Sequence, residues 1–198
     1  MLNRDNYRRY INPVQPLVNT GAYANIERAA GPCWRCVCVY HLSPQENVGK
    51  SNIFIDVLSA GGDWAIAEHL RVGWTWNGRQ PHEPAAPRMF EKRPPEFRAQ
   101  VDLYKGQITS LRIMDATGLR SDVVNGLRSD VEDLSTGGNT RFHNSFAALF
   151  QRISGPVIAP PIDPVMPPTE ILTAWQMGIE RDIAELKAWR QTMEGDGR

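Results

Sequence analysis

His69-Leu-Arg-Val-Gly-Trp-Thr-Trp-Asn-Gly78 decides how the rest of the chain is read. Leu70, Val72, Trp74 and Trp76 fall on one side of an extended chain, and Arg71, Gly73 and Thr75 on the other. That alternation marks a half-buried β-strand, and Asn77-Gly78 is a turn signal behind it. Two indoles on one face are a large apolar payload, so they either anchor a core or line a binding face. Their step with Leu70 and Val72 favours the core and casts them as the residues that hold two sheets together.

Outward from this strand the chain reads as mainly β. Residues 33–42, Cys-Trp-Arg-Cys-Val-Cys-Val-Tyr-His-Leu, are apolar on both alternations, which implies a strand buried on both faces. Residues 43–47 read as a turn or a single helical turn. Residues 52–59 alternate Ile53, Ile55 and Val57 against Phe54, Asp56 and Leu58, and Gly61-Gly62-Asp63 closes them. The short connection from there to the strand at 69–76 favours an antiparallel neighbour. Residues 100–105 and 107–115 read as two strands around Lys105-Gly106. Residues 144–153 read as a last apolar strand, with a helix as the competing assignment.

The intervening segments are punctuated differently. Five prolines stand between Gly78 and Gln100, in a loop longer than ordinary connections and therefore either functional or packed across the surface. Gly118-Leu-Arg-Ser-Asp-Val123 recurs unchanged as Gly126-Leu-Arg-Ser-Asp-Val131. A period of eight with two copies is too short for a solenoid, and reads as a duplication in a surface loop.

The ends complete the division. Residues 1–32 lack a clear period and read as an extended arm lying on its own domain or on a neighbour. Residues 33–154 form an antiparallel β-sandwich, and 155–168 a stiff proline-rich linker. Residues 169–194 form an amphipathic helix capped by Thr169. Leu172, Ile179, Leu186 and Met193 recur every seven residues, with Trp175, Asp182 and Trp189 on the complementary seam and Ile183 beside it. This stripe either packs on the sandwich or meets copies of itself or another chain.

Bulk properties narrow the function classes. Among 198 residues, 22 basic side chains balance 22 acidic ones, so no general attraction to nucleic acid or anionic membrane is expected. Residues 1–30 carry a net charge of +2 and residues 163–198 a net of −3, mild biases suited to docking. No apolar run is long enough to span a bilayer, and the polar N-terminus has no signal core, so no secretory export is expected. Cys33, Cys36 and Cys38, in a C-x-x-C-x-C spacing near His41, invite a zinc reading. On a regular strand Cys36 and Cys38 share a face and Cys33 points away, which favours buried structural thiols, with no metal and no cofactor. His41, His69, His82 and His143 are scattered. There is no G-x-S-x-G, H-E-x-x-H, Walker loop or dinucleotide fingerprint. Asp56 and Asp102 could pair as glycosidase carboxylates, but so could many pairs in a chain with 22 acidic residues. A non-enzymatic role is expected.

The aromatic residues of the β region supply the candidate site. Trp64, Trp76, Asn77, Arg79, His82, Phe90 and Phe97 are the candidate contacts for carbohydrate or a partner, by stacking on sugar rings and bonding hydroxyls. The proline-rich loop behind Asn77-Gly78 is the favoured place for that contact.

Five stretches carry a resemblance that spans a little over half the chain: His41-Leu-Ser-Pro-Gln-Glu-Asn47, Asn52-Ile-Phe-Ile-Asp-Val-Leu58, Leu70-Arg-Val-Gly-Trp-Thr-Trp76, Val101-Asp-Leu-Tyr-Lys-Gly-Gln107 and Gly138-Asn-Thr-Arg-Phe-His-Asn-Ser-Phe146. In this order they resemble appended β-sandwich modules of bacterial and phage cell-wall-directed or virion proteins. The resemblance implies a jelly-roll or immunoglobulin-like module concerned with carbohydrate contact or virion architecture, and carries over no catalytic residue. The expected protein is a structural or adhesive subunit of a phage-type particle: a capsid decoration, fibre or tail component. It would assemble in the host cytoplasm and oligomerise, or bind other particle subunits, through its N-terminal arm and C-terminal helix. A free-standing carbohydrate-binding module, cytoplasmic or cell-surface associated, is the alternative, and a small polysaccharide hydrolase the third class.

Overall fold

The computed structural model describes residues 2–18, 24–130 and 143–155. Among them the chain is mainly β. The strands are β1 (Leu17–Val18), β2 (Asn25–Glu27), β3 (Cys33–His41), β4 (Asn52–Leu58), β5 (Leu70–Trp76), β6 (Arg88–Met89), β7 (Ala99–Asp102), β8 (Ile108–Asp115), β9 (Arg120–Ser121), β10 (Val123–Arg128) and β11 (Phe146–Ile153). A 3-10 helix covers Arg4–Tyr10 and a single α-helical turn, α1, covers Pro44–Asn47. The expected linker beyond residue 155 and the helix at 169–194, with Leu172, Trp175, Ile179, Ile183, Leu186, Trp189 and Met193, lie outside the described residues.

The strands form two sheets. Sheet A runs β1-β3-β11-β4-β7, with β9 also on β3, and sheet B runs β2-β10-β8-β5-β6. Sheet B is antiparallel throughout. Sheet A corrects the wholly antiparallel expectation, because β11 runs parallel to β4, and β1 and β9 run parallel to β3. The reason is connectivity: β4 and β11 are joined through the strands of sheet B, and so long a return permits either direction. The short connection from β4 to β5 crosses from sheet A to sheet B, and β5 pairs with β8 and β6, not with β4. Alternation assigns faces but not neighbours.

One core lies between the sheets. Trp34, Ile53, Ile55, Val57, Phe146, Ala148 and Phe150 of sheet A meet Leu70, Val72, Leu111, Ile113, Val124 and Leu127 of sheet B. Trp34 adds a polar tie: its indole Nε1 donates to Asp115 Oδ2 at 2.9 Å, joining the start of β3 to the end of β8. It therefore has the tying role expected of Trp74 and Trp76. Trp74 is half-buried at the margin of this core, and Trp76 lies outside the cluster.

A second apolar layer covers the other face of sheet A. Val37, Cys38, Phe54, Leu58, Ala147 and Leu149 pack there with Tyr7 and Phe97. The burial of β3 on both faces follows from this layer, as its sequence anticipates. The N-terminal residues supply much of the cover, so the segment expected as an extended arm is partly helical. It also contributes β1 to sheet A and β2 to sheet B, which moves the start of the two-sheet unit ahead of residue 33.

Two details depart from regular alternation. A bulge interrupts the pairing of β3 with β11 between Leu149 and Phe150, leaving Val37 as the extra residue. Cys36 consequently faces the inter-sheet core while Cys38 faces the outer layer, not the same side. The two copies of Gly-Leu-Arg-Ser-Asp-Val also leave the surface loop assigned to them. Both glycines take a left-handed φ, +82° and +84°. The first copy runs through β9 of sheet A to the start of β10 in sheet B, and Gly126 to Arg128 of the second lie within β10.

Candidate functional site

Polar groups gather in three places, and two of them hold the fold. Asp56, fully buried on β4, accepts from Arg4 Nη1 at 2.8 Å and from Arg98 Nε and Nη2 at 2.8 and 2.6 Å. This clamps the N-terminal helix and the end of the long loop onto sheet A. Asp122, also fully buried, accepts from Arg28 Nη1 at 2.7 Å, the backbone NH of Ala29 at 2.8 Å and that of Cys36 at 2.9 Å. Carboxylates saturated in this way are structural counter-charges. Asp56 is therefore committed to two arginines, and Asp102 bonds Asn52 Nδ2 at 2.8 Å at the sheet edge, an arrangement unlike a pair of glycosidase acids.

The cysteines and histidines are equally dispersed. Burial raises all three thiol pKa values above the ordinary one, that of Cys38 to about 12, so none is a ready thiolate. His41 Nε2 lies 2.9 Å from Asn144 Oδ1 in the interior, while His69, His82 and His143 are exposed. Among the described residues no three His, Cys, Asp or Glu side chains form a metal-ligand cluster, and no helix there is long and apolar enough to cross a membrane.

The third place is the outer face of sheet B. Alternation turns Leu70 and Val72 of β5, and Thr109, Leu111 and Ile113 of β8, inward. It leaves the cross-strand pairs Arg71–Met114, Gly73–Arg112 and Thr75–Ser110 on the outside. A groove of about 370 Å³ lies here, lined by Gly73, Trp74, Thr75, Ala85, Pro87, Ser110, Arg112 and Met114 among others. The loop wall is pinned where Trp74 Nε1 donates to Ala86 O at 3.0 Å and where β6 pairs with β5. Trp74 and Trp76 lie 5.2 Å apart, centroid to centroid. The Arg79 guanidinium sits 5.6 Å from the Trp76 ring and that of Arg88 5.9 Å from the Trp74 ring.

The residues expected to contact a ligand divide between these regions. Trp76, Asn77, Arg79 and His82 stand at the exposed end of β5 and in the following turn, with Trp76 half-buried. Arg79 folds back on its own turn, donating from Nε and Nη2 to Glu83 O. Phe90 packs against the inter-sheet core, with the Arg98 guanidinium 5.9 Å from its ring. Phe97 is 1% exposed within the outer layer of sheet A and is corrected to a core residue. Trp64 also belongs to that layer's margin. Its Nε1 donates to Asp5 Oδ1 at 2.7 Å, and the guanidinium groups of Arg4 and Arg8 lie 4.3 and 4.9 Å from its ring. It is a seat for the N-terminal helix rather than an open platform. Phe90 and Phe97 thus fasten the later part of the long loop to the domain, while most of its other residues are exposed.

Sequence reasoning missed Gly73, Ser110, Arg112 and Met114. Their signal was present: they are the outward half of the alternation whose inward half identifies the strands. No protein-family model matches the chain, and neither does any curated protein or solved structure.

Proposed function

We propose that the two-sheet unit is a β-sandwich of jelly-roll or immunoglobulin-like kind, and that it serves as a non-enzymatic structural and adhesive subunit of a larger assembly, a phage-type virion accessory protein whose sandwich holds surface carbohydrate. The observation that carries the reading is the outer face of sheet B. Aromatic, hydroxyl and guanidinium side chains converge there on one groove, whereas the large aromatic residues over sheet A are committed to packing. Half-buried indoles with nearby arginines and hydroxyls suit a sugar, whose rings present both C–H faces and hydroxyl edges.

A glycan array probed with the full chain tests it. Binding to a polysaccharide is expected, with loss of at least half the signal in Trp74→Ala, which removes the groove's indole, while the thermal unfolding transition stays in place. Absence of any glycan signal would remove the adhesive role, and turnover of a bound polysaccharide would remove the non-enzymatic one. One observation favours the free-standing carbohydrate-binding module as the second reading: residues 2–11 lie on the protein's own sheet A. Native mass measurement separates the two, because a strict monomer at micromolar concentration would favour the free module.

A further inference from the structure

We infer that the groove over Gly73 is a subsite for a carboxylated sugar unit, with Arg112 as the partner of the carboxylate. The inference rests on the carbohydrate reading above and narrows it to acidic polysaccharides of the uronate type.

Arg112 occupies the outward side of β8, the central strand of sheet B. Its direct neighbours on that face are Gly73 on β5 and Val123 on β10. Gly73 presents no side chain, and the Met114 side chain lies over it beside Arg112, so the thioether forms one wall of the groove. Arg112 is exposed and makes no ion pair with a carboxylate among the described residues. The outward positions of β5 and β8 are Arg71, Gly73, Thr75, Ile108, Ser110, Arg112 and Met114, with no Asp or Glu among them. Glu27 of β2 is the acidic residue on the same row, one strand beyond Val123, so the immediate cross-strand neighbours of Arg112 carry no charge. A planar guanidinium beside an open groove suits two parallel hydrogen bonds to a carboxylate.

The other lining groups suit the rest of a sugar. Thr75 and Ser110 stand opposite one another across the β5–β8 pair and offer two hydroxyls. Met114, Ala85 and Pro87 supply apolar walls for ring C–H groups. The volume of about 370 Å³ is at the lower end of the roughly 300–1,000 Å³ of small-molecule sites. A nucleic acid would call for a continuous basic stripe, but the chain's charges balance and only Arg71 and Arg112 lie on the outward rows of β5 and β8.

Gly73 gives a test of position that leaves charge unchanged. A Cβ added there would stand 2.7 Å from Met114 Sδ and 2.9 Å from its Cγ. Met114 is flexible and can swing away, so Gly73→Ala is expected to keep the fold and redirect the thioether across the groove.

The experiment compares polygalacturonate with neutral dextran, by isothermal titration and affinity electrophoresis on the full chain. Wild-type protein is expected to bind the uronate polymer at least about tenfold more tightly than dextran. Arg112→Gln and Gly73→Ala should each lose about tenfold or more of that affinity. Arg120→Gln, which removes the same charge from an exposed position on β9, should lose less than about twofold. Equal losses in Arg112→Gln and Arg120→Gln would reduce the effect to general charge and overturn the subsite. Equal binding of dextran, unaffected by Arg112→Gln, would overturn the acid preference and leave the carbohydrate reading intact. No binding to either polymer would overturn the inference, and the carbohydrate reading would fall with it only if the wider glycan array were also blank.

Discussion

The two sheets present opposite outer faces. That of sheet A is apolar and covered, with Tyr7 of the N-terminal helix and Phe97 of the long loop sealing Val37, Cys38, Phe54 and Leu149 from solvent. That of sheet B bears Arg71, Thr75, Arg112 and Met114 and supports a groove. The cover on sheet A is fastened by charge as well as by apolar contact, through Arg4 and Arg98 on Asp56. The difference teaches where stability and recognition reside. Residues that close sheet A cannot change without exposing a core, whereas the outward residues of sheet B can vary with little effect on folding.

Substitutions can break this contrast. The largest effect is expected from Arg4→Ala, which strips one guanidinium from the buried Asp56 carboxylate and unfastens the helix. It should lower unfolding free energy by about 3 kcal/mol, read as a lower urea midpoint. An unchanged midpoint would mean that the N-terminal cover adds nothing. Trp34→Phe keeps the aromatic filling but removes the donor to Asp115, at an expected cost of about 1–3 kcal/mol.

The same variant sharpens a pH dependence. Burial pushes the Asp115 carboxyl up, but hydrogen bonds from Trp34 and from the Thr117 NH and hydroxyl outweigh it and hold the pKa below its ordinary value. A depressed folded pKa contributes stability above the unfolded value, and that contribution disappears as pH falls through the folded one. Wild-type protein should therefore lose stability below about pH 4, and Trp34→Phe should lose less over that interval. Parallel acid-unfolding curves for the two proteins would rule this linkage out.

A smaller change is expected at Tyr7. Burial and the neighbouring Glu46, whose Oε1 accepts from its hydroxyl at 3.1 Å, raise the phenol pKa strongly. The folded chain keeps this proton where the unfolded chain releases it, so stability falls as pH rises past about 10. Tyr7→Phe should cost about 1 kcal/mol at neutral pH and flatten the alkaline slope, which guanidinium titrations at two pH values would register. At the far end of the scale, Arg112→Gln should leave stability within about 0.5 kcal/mol. A larger loss would make the outer face of sheet B as structural as that of sheet A.

Much of the architecture was legible in the alternation of β4, β5 and β8, and in the apolar runs of β3 and β11. Alternation reports which side of a strand is wet, and that information is local. It does not report partners, so the crossing from β4 to β5 between sheets and the parallel β4–β11 pair were hidden. The bulge at Val37 reverses the relation of Cys36 to Cys38, and nothing in the run of small apolar residues marks it. The two buried aspartates were illegible for the same reason, since Asp56 meets Arg4 across 52 positions and Asp122 meets Arg28 across 94. The repeat shows the limit most directly. Identical hexapeptides place one aspartate at the centre of a buried hub and the other in an ion pair with its neighbour Arg128. At the candidate site, the groove residues could be read as outward-facing, but their convergence depends on pairing between β5 and β8.

The position of β11 has a consequence for the order of events during synthesis. This strand lies between β3 and β4, yet it leaves the ribosome after both. Until then β3 and β4 each carry an edge with nothing from their own chain to fill it, and such edges attract other chains. Non-local closure of this kind is slow, on the order of milliseconds to seconds. A chain ending before Phe146 would keep both vacancies, and a separate peptide of residues 146–153 would be the natural piece to restore them.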